Sequence, residues 1–344
     1  MRAAVLREYR QPLALEDVPE PECPRDGVVL RVEACGVCRS DWHGWVGEHP
    51  RVKPGQIGGH EYCGEVVEAG PEARWSVGDR LVAPFILSCG TCPECRSGHA
   101  NTCLDQRLPG FIEPGAFAEY VAVPRDHNLA ALPEGMDPAV AAGMGCRVTT
   151  AWHALTGRAQ LAAGEWLAVH GTGGVGLSAA ILGRAMGAKV VVVDVVREKL
   201  DHALGLGMEG AVMASETTAE EIREITGGGA DVSVEALGIP ATVNASLRCL
   251  RARGRHVQVG MPVGHTARME VDMSAVYQGN LALYGTRGMP AWRYPSLLDL
   301  VVRGRVDLSP LIARHVGLSD VSAELAAFDG PTPPGVAVVT DFAA

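Results

Sequence analysis

A glycine-rich turn after residue 170 constrains the fold of this chain more than any other feature. An apolar run, Leu167–His170, leads directly into Gly171-Thr172-Gly173-Gly174-Val175-Gly176, which has the spacing G-x-G-x-x-G. A strand that enters a helix through such a turn brings backbone N–H groups close to a pyrophosphate. We therefore expect this turn to bind a dinucleotide through Gly171, Gly173, Gly174, Val175 and Gly176.

The sequence around this turn alternates between apolar strands and helical stretches. Strands are predicted at Trp166–Val169, Val190–Asp194, Val232–Glu235, Arg255–Gly260 and Leu281–Tyr284. Helices are predicted between them at Gly176–Met186, Arg197–Leu206, Ala219–Thr226 and Pro240–Leu250. Such alternation is typical of a doubly wound parallel sheet with helices on both faces.

An acidic residue ends the second of these strands. Asp194 lies 23 residues after Gly171. A carboxylate at this position can accept hydrogen bonds from the adenosine ribose hydroxyls, and it repels a 2′-phosphate. Asp194 therefore predicts NAD rather than NADP as the cofactor. The alternative is that Asp194 only caps the N-terminus of the next helix.

The first 145 residues have a different character, because they are rich in glycine, proline and valine and have few long helical patterns. Strands are predicted at Val28–Val32, Cys63–Glu68, Arg80–Ala83 and Ala118–Val123. These short runs indicate an all-β region with long loops. After Gly288 the tail has one clear helical pattern, Pro295–Arg303, and a final predicted strand, Val336–Thr340.

Four cysteines occur within 15 residues of this β region. Cys89, Cys92, Cys95 and Cys103 have the spacing C-x2-C-x2-C-x7-C. Four thiolates so close in sequence can form a closed tetrahedral shell around one Zn²⁺, which predicts a structural rather than a catalytic site. An iron–sulfur cluster is the competing interpretation. Four unbound thiols are the third.

A second set of metal-ligand residues is spread along the chain. Cys38, His60 and Cys146 together form the three-ligand set of one class of catalytic zinc site, which leaves a fourth position for water or substrate. Taken singly, each has a simpler interpretation. A lone histidine is more often structural than a ligand, and a lone cysteine often behaves as a small core residue.

Composition excludes several other functions. The formal net charge is −10 with no cluster of Lys and Arg, which argues against a nucleic-acid partner. No apolar run reaches the ~18 residues of a membrane span, and the N-terminus lacks a signal-peptide pattern, so we expect a cytoplasmic protein. Ten cysteines in such a chain indicate metal sites rather than disulfides.

With these motifs in their observed order, the chain resembles the zinc-dependent medium-chain alcohol dehydrogenases over essentially its whole length. The resemblance implies a Rossmann domain inserted into a GroES-like β catalytic domain. Residues 1–149 and 287–344 would form the catalytic domain, and residues 150–286 the NAD-binding domain. It also implies two Zn²⁺ per chain and reversible, NAD-linked oxidation of a primary or secondary alcohol to an aldehyde or ketone.

The resemblance also implies roles for individual residues. The catalytic zinc ligands would be Cys38, His60 and Cys146, with Glu61 as an acidic neighbour of the metal. Asp41 would orient the ligand histidine, and Ser40 would bond the substrate oxygen. His43 would end the proton relay. Arg39 would contact the pyrophosphate, Thr150 the nicotinamide and Lys199 the adenosine ribose. Some relatives hold the pyrophosphate with a basic residue in the last strand, and Gly335–Thr340 has none.

Substrate preference is indicated only by nearby apolar residues. The predicted pocket consists of Trp42, Trp45, Phe85, Leu108 and Phe117, and it favours a hydrophobic or aromatic alcohol. Alternatively, the two tryptophans only pack the core. Two other functions stay open: a polyol or sugar-alcohol dehydrogenase of the same family, and a non-catalytic redox sensor or structural protein that binds NAD and zinc. Family analogy implies a homotetramer or homodimer that associates near Leu281–Tyr284.

Overall fold

The computed structural model describes residues 1–343, without the side chain of His265. Its first sheet has seven strands in the order β14-β15-β3-β4-β5-β7, with β6 paired to β3. Their bounds are Val28–Gly36 for β3, Glu61–Ala69 for β4, Arg80–Val82 for β5, Tyr120–Val123 for β6, Ala130–Ala131 for β7, Ile312–Gly317 for β14 and Val336–Asp341 for β15. A separate hairpin-like pair consists of β1, Arg2–Val5, and β2, Ala14–Asp17.

The C-terminal strand joins the sheet formed by the beginning of the chain. Val338 and Val339 of β15 pair antiparallel with Gly36 and Cys35 of β3. The tail therefore returns to the first half of the molecule after the second sheet is complete. The exact bounds 1–149, 150–286 and 287–344 stay a prediction.

The second sheet has six parallel strands in the order β10-β9-β8-β11-β12-β13. Their bounds are Trp166–His170 for β8, Lys189–Asp194 for β9, Gly210–Met213 for β10, Ala230–Glu235 for β11, Leu250–Gln258 for β12 and Ala282–Gly285 for β13. The chain runs outward from β8 to β10 and then returns to the other side of β8. This reversal confirms the predicted doubly wound sheet and places a ligand crevice at the carboxyl ends of its central strands.

Five α-helices alternate with the strands of this second sheet, and six others lie elsewhere in the described chain. Those that alternate with its strands are α5, Gly174–Ala185; α6, Arg197–Gly205; α7, Thr218–Thr226; α8, Pro240–Arg248; and α9, Met273–Gly279. The others are α1, Arg39–Trp45; α2, Pro93–Arg96; α3, Pro138–Ala142; α4, Arg147–His153; α10, Tyr294–Val302; and α11, Val321–Ala327. Among the described residues, no helix is both long and apolar enough to cross a bilayer.

Buried apolar side chains form a core on each sheet. In β8 and β9, Leu167, Val169, Val190 and Val192 are fully buried, because helices pack on both faces of the parallel sheet. This explains why these strands are continuous apolar runs in the sequence. The antiparallel sheet has its own core around Leu30, Val66 and Leu81.

Two elements of the tail differ from the sequence prediction. Strand β14 and helix α11 were not predicted. In β14, the exposed Ala313 and His315 alternate with half-buried residues, since β14 is the edge of its sheet, so the strand lacks a continuous apolar run. The predicted helix Pro240–Leu250 ends at Arg248, because Leu250 already pairs with Ala230 in the parallel sheet.

Candidate metal and cofactor site

The four clustered cysteines come together in one lobe. Their sulfur atoms all lie within 4.8 Å of one another. The Sγ–Sγ distances are 3.4 Å for Cys92 and Cys95, 3.8 Å for Cys92 and Cys103, and 4.0 Å for Cys89 and Cys95. Four sulfurs at the Zn–S distance of about 2.3 Å, at the corners of a tetrahedron, would be separated by about 3.8 Å. The lobe therefore fits a four-coordinate zinc ion.

The backbone of this lobe is arranged to stabilise thiolates. The N–H groups of Thr91 and Cys92 donate to Cys89 Sγ at 3.4 and 3.3 Å, and the N–H of Cys89 donates to Cys103 Sγ at 3.2 Å. Hydrogen bonds from the Thr91 hydroxyl and from the N–H groups of Thr91 and Cys92 lower the pKa of Cys89 to about 5, whereas burial raises the pKa of Cys95 and of Cys103. The loop turns back through Gly90 and Gly98, which have φ of +75° and +87°. These conformations favour glycine.

The second set of predicted ligands also converges. Cys38 ends the loop after β3 and precedes α1, His60 precedes β4, and Cys146 precedes α4. Antiparallel pairing of β3 with β4 brings the first two together, since Gly36 pairs with Glu61. The ligand atoms of Cys38, His60, Glu61 and Cys146 lie within 4.8 Å of one another.

Asp41 orients the histidine of this set. His60 Nδ1 is 2.8 Å from Asp41 Oδ1, which also accepts a hydrogen bond from the N–H of Gly59 at 3.1 Å. The other carboxylate oxygen accepts from the N–H of Cys38 at 3.1 Å. His60 Nε2 is buried and has no hydrogen-bond partner among the described residues. A lone pair on Nε2 that faces two buried thiols fits a metal ion, with Asp41 fixing the tautomer of the ring.

Glu61 and Arg147 form a buried ion pair behind this set. The N–H of Arg147 donates to Glu61 Oε1 at 3.0 Å, and the Arg147 guanidinium donates to Glu61 Oε2. Burial raises the pKa of Glu61 to about 7, while the Arg147 charge opposes the rise. A Cβ on Gly36 would lie 2.4 Å from Arg147 Nη2 and 2.5 Å from Glu61 Oε2, so the pair requires glycine there.

Arg147 was not predicted as a functional residue. Its side chain is only 2% exposed, and its Nε and Nη1 have no partner among the described residues. A Cβ on Gly174, in the glycine-rich turn, would lie 3.3 Å from Arg147 Cδ and 3.6 Å from Nε. The guanidinium therefore reaches from Glu61 to the dinucleotide turn. The only signal in the sequence was a charged residue directly after Cys146.

The residues of the predicted proton relay lie along α1. Ser40 Oγ is 3.8 Å from Cys38 Sγ, and His43 Nδ1 is 2.9 Å from Glu48 Oε2. Burial lowers the pKa of His43, although Glu48 raises it in part. Arg39 lies over the Trp42 ring at 4.1 Å and donates to a backbone carbonyl. The structure brings Ser40 to the metal-ligand set, and His43 lies nearer the surface.

The glycine-rich turn has the geometry that a pyrophosphate site requires. A Cβ on Gly176 would lie 1.7 Å from the carbonyl oxygen of Gly171, whose φ is +90°. No atom lies within 4 Å of where a Cβ on Gly173 would be, so space is open before α5. The N-terminus of α5 faces this space, where backbone N–H groups favour an anion.

Asp194 connects this turn to the end of β9. Its Oδ2 accepts hydrogen bonds from the N–H and hydroxyl of Thr172 at 2.8 and 2.7 Å. Its Oδ1 accepts from the N–H groups of Val195 and Val196. Val196 occupies the N-cap position of α6, which has no side-chain cap hydrogen bond, so Asp194 does not cap this helix. Lys199 lies near enough for the Asp194 charge to raise its pKa, although burial lowers it more.

Thr150 joins the two halves beside the metal-ligand set. Its hydroxyl oxygen accepts a hydrogen bond from the N–H of Gly288 at 3.2 Å. Gly288 follows β13 and contacts Phe85, since a Cβ there would lie 3.1 Å from that ring. The carboxyl end of β13 therefore lies against the same aromatic residue as the metal-ligand set.

Aromatic rings surround His60. The centroid of Phe85 lies 5.9 Å from that of His60, and Phe111, which was not predicted, lies at 4.6 Å. Phe117 packs against the backbone of Gly59. Of the other residues predicted to form the pocket, Trp42 and Trp45 donate from their indoles to Asp329 and to the carbonyl of Gln11, and they lie with Leu108 in the buried core. Their contact with a substrate stays a prediction.

Comparison with known proteins decides the family. Residues 24–134 match the model of the alcohol dehydrogenase GroES-like domain, and residues 174–303 match that of the zinc-binding dehydrogenases. An alcohol dehydrogenase of Geobacillus stearothermophilus is 36% identical over 76% of this chain and 78% of its own. The chain belongs to the zinc-dependent medium-chain alcohol dehydrogenase family. The predictions of an NAD-dependent oxidoreductase and of zinc and NAD as cofactors are thereby confirmed.

Other relatives resemble this chain over nearly its whole length. The alcohol dehydrogenase of Thermus sp. ATN1 superimposes with a TM-score of 0.91 at 28% identity, over 99% of this chain and all of that one. An L-threonine 3-dehydrogenase of Saccharopolyspora erythraea is 32% identical over 92% of both chains. Relatives with different substrates thus share the fold, so the fold alone does not determine the substrate.

Proposed function

We propose that this chain catalyses the reversible, NAD-linked oxidation of an alcohol at Cys38, His60 and Cys146. The observation that carries the proposal is the buried His60 Nε2, which has no partner among the described residues and faces two thiols while Asp41 holds the opposite ring nitrogen. Zinc bound there would supply Lewis acidity that favours loss of the hydroxyl proton, and NAD would supply the hydride acceptor.

The protein residues then hold the substrate and move its proton. Ser40, beside Cys38, would take the proton of the substrate hydroxyl while releasing its own, and His43, nearer the surface, where Glu48 holds its ring, would be the final acceptor. Phe85 and Phe111 enclose the carbon that reacts and exclude water. This apolar lining supports a hydrophobic or aromatic alcohol over a polyol.

We also propose that Arg147 takes part in holding the cofactor. Neither Nε nor Nη1 has a partner among the described residues, and Nε lies 3.6 Å from where a Cβ on Gly174 would be, at the turn where the pyrophosphate of NAD would sit. The last strand has no basic side chain in Gly335–Thr340. Val336 of that strand nevertheless lies against Gly174 from the same side as Arg147. Arg147 therefore supplies from α4 the positive charge that the last strand lacks.

Association of two chains is proposed at the edge strand β13. This strand ends the parallel sheet, so its outer backbone groups are open to pairing with a second chain. Leu283 on the strand is 42% exposed, and Tyr277 on the neighbouring α9 is 84% exposed. A homodimer, or a tetramer built from it, would cover these residues. Light scattering of the native protein and of Leu283→Lys tests this, since the variant should be smaller.

The test of the activity combines metal content with NADH formation. The purified protein should contain two zinc ions per chain and reduce NAD with at least one of benzyl alcohol, secondary alcohols, sorbitol or threonine. Cys38→Ser should lose activity and one zinc, whereas Cys23→Ser, at a half-buried cysteine outside both sets, should retain both. Full activity in Cys38→Ser would refute the proposed site. One zinc and no activity in the native protein would support a non-catalytic role.

A further inference from the structure

Two arginines without an acidic partner lie near the catalytic set. Neither Arg51 nor Arg287 forms an ion pair or a side-chain hydrogen bond with any residue between 1 and 343. The Arg287 guanidinium lies 5.5 Å from the centroid of the Phe85 ring, and that ring lies 5.9 Å from the ring of His60. The Phe85 ring thus lies between the Arg287 guanidinium and His60, a proposed metal ligand.

The two arginines lie at the same cluster of aromatic rings. The N–H of Arg51 donates to His49 Nδ1 at 3.3 Å, and His49 stacks on Phe111, with ring centroids 4.7 Å apart. The ring centroid of Phe111 lies 6.4 Å from that of Phe85, the ring that Arg287 contacts.

Burial lowers the pKa of Arg287, and the charge of Arg51 lowers it further. Burial is the main cause that lowers the pKa of His49 to about 4, and the charges of His60, Arg51 and Arg287 lower it further. His49 is therefore neutral at pH 7. No carboxylate pairs with either arginine among the described residues, and Cys146 is the group that opposes the lowering of the Arg287 pKa.

A polar cavity adjoins Arg287 at the carboxyl end of β13. It has a volume of about 660 Å³, and Arg158 and Arg287 line it together with His153 and Thr286. The hydroxyl of Thr286 is buried and has no partner among the described residues. Glu94 is the only carboxylate in the lining. Arg287 is the lining residue that connects this cavity to the catalytic set, because its guanidinium also contacts the Phe85 ring beside His60.

We propose that the substrate of this enzyme carries an anionic group, a carboxylate or a phosphate, which Arg287 and Arg51 bind while its alcohol carbon lies at Cys38, His60 and Cys146. The inference rests on the proposed function and narrows its substrate class. The substrate would be apolar next to the alcohol, where it meets Phe85 and Phe111, and anionic at its far end. Two unpaired guanidinium groups suit either anion, because each can donate two parallel hydrogen bonds.

A matched series of benzyl alcohols tests the charge alone. The series is benzyl alcohol, 4-(hydroxymethyl)benzoate, 4-(hydroxymethyl)phenylphosphonate and 4-(aminomethyl)benzyl alcohol, each assayed for NADH formation by the native holoenzyme. We expect kcat/KM to be at least tenfold higher for one of the two anions than for the neutral alcohol, mainly through KM, and lowest for the cation. The better anion identifies the physiological group. The preference should decrease as salt is added, because exposed charges are screened.

Variants connect the preference to the two arginines. In Arg287→Gln and Arg51→Gln the ratio of kcat/KM for the anionic alcohol to kcat/KM for benzyl alcohol should fall about tenfold, the loss expected from one charge-assisted hydrogen bond. Arg305→Gln is the matched control, since Arg305 is exposed, has no ion-pair partner among the described residues and lies outside the cavity. Its anion preference should not change.

Binding measurements separate this inference from the activity itself. Calorimetric titration of the native protein with 4-formylbenzoate and with benzaldehyde, in the presence of NADH, does not require turnover of an alcohol. Tighter binding of the carboxylate, lost in Arg287→Gln, would support the anion site even if none of the alcohols is oxidised. Equal binding of both aldehydes, or an anion preference that persists in the double variant Arg51→Gln/Arg287→Gln, would refute it. Oxidation of neutral and anionic alcohols at equal rates would refute it while supporting the proposed activity.

Discussion

Removal of the Arg147 guanidinium gives the sharpest test of how this chain holds its cofactor. A single substitution would leave the carboxylate of Glu61 buried without its partner, which costs about 3–5 kcal/mol of stability. The informative comparison is therefore Glu61→Gln against the double variant Glu61→Gln/Arg147→Met. Methionine keeps an unbranched apolar stem in place of the arginine side chain and removes the donors. The difference between these two proteins reports on the unpartnered Nε and Nη1 rather than on the ion pair.

The expected magnitude follows from one hydrogen bond to a charged group. Such a bond contributes about 1.5–3 kcal/mol, so the Kd for NADH should rise about 10- to 150-fold in the double variant. NADH fluorescence measures this Kd directly. The loss should appear with ADP-ribose, which contains the pyrophosphate, and not with adenosine. Arg80→Gln is the control, because Arg80 pairs with Glu33 in the antiparallel sheet.

A second substitution can restore the binding. Val336 is half-buried, and its Cγ1 lies 3.2 Å from where a Cβ on Gly174 would be. Val336→Arg in the double variant would return a guanidinium to the same turn from the last strand, and it should recover most of the lost affinity. Equal Kd values for NADH in Glu61→Gln and in the double variant would refute the role of Arg147, whatever the rescue variant does.

Three further perturbations test the rest of the site and the fold. Ser40→Ala should lower kcat by roughly 10²- to 10⁴-fold while two zinc ions stay bound, and unchanged turnover would remove Ser40 from the relay. Asp194→Asn should raise the ratio of NADP to NAD kcat/KM about tenfold, because roughly 1.4 kcal/mol of repulsion with the 2′-phosphate disappears; an unchanged ratio would contradict this. Burial lowers the pKa of His170 from 6.5 to about 3, so the unfolded chain binds a proton first as the pH falls below 6.5. The free energy of unfolding measured in urea should therefore fall by about 2 kcal/mol more between pH 7.5 and 5 in the native protein than in His170→Leu, and equal losses would refute the assignment.

The parallel sheet could be predicted from the sequence because each central strand is buried on both faces. Val190–Val193 is an unbroken apolar run for this reason, and the turn after His170 needs glycine at defined positions. Strand β14 could not be predicted, since its side chains are mostly exposed or half-buried at a sheet edge. The end of α8 was predicted too late, because Leu250 is apolar and suits either a helix or the strand that it begins.

The two sets of candidate metal ligands could be picked out of the sequence because their residue types are rare and chemically specific, whereas Phe111 and Arg287 are of common types. Nothing local distinguishes Phe111 from a core phenylalanine. It becomes part of the site only because its loop folds back onto His60. Arg287 is similarly an unremarkable residue after a strand until the second sheet brings it to Phe85. Contacts between segments so far apart in sequence leave no periodic pattern for a single sequence to reveal.

On our proposal, Arg147 on α4 provides the positive charge at the dinucleotide turn that Gly335–Thr340 in the last strand lacks. This also explains why Arg147 was not predicted from the sequence. A metal ligand must occupy one position, because its atom must lie at a bonding distance from the ion. A charge that stabilises a phosphate can come from any element that reaches the same place, since the interaction decreases only gradually with distance. Here β15 and α4 both border Gly174. The positive charge can therefore move from one to the other, provided that Gly36 leaves room for the guanidinium beside Glu61. Gly36→Ala should therefore weaken NADH binding, although Gly36 lies in β3, outside the dinucleotide turn. An unchanged Kd for NADH would show that the space beside Glu61 does not fix the position of Arg147.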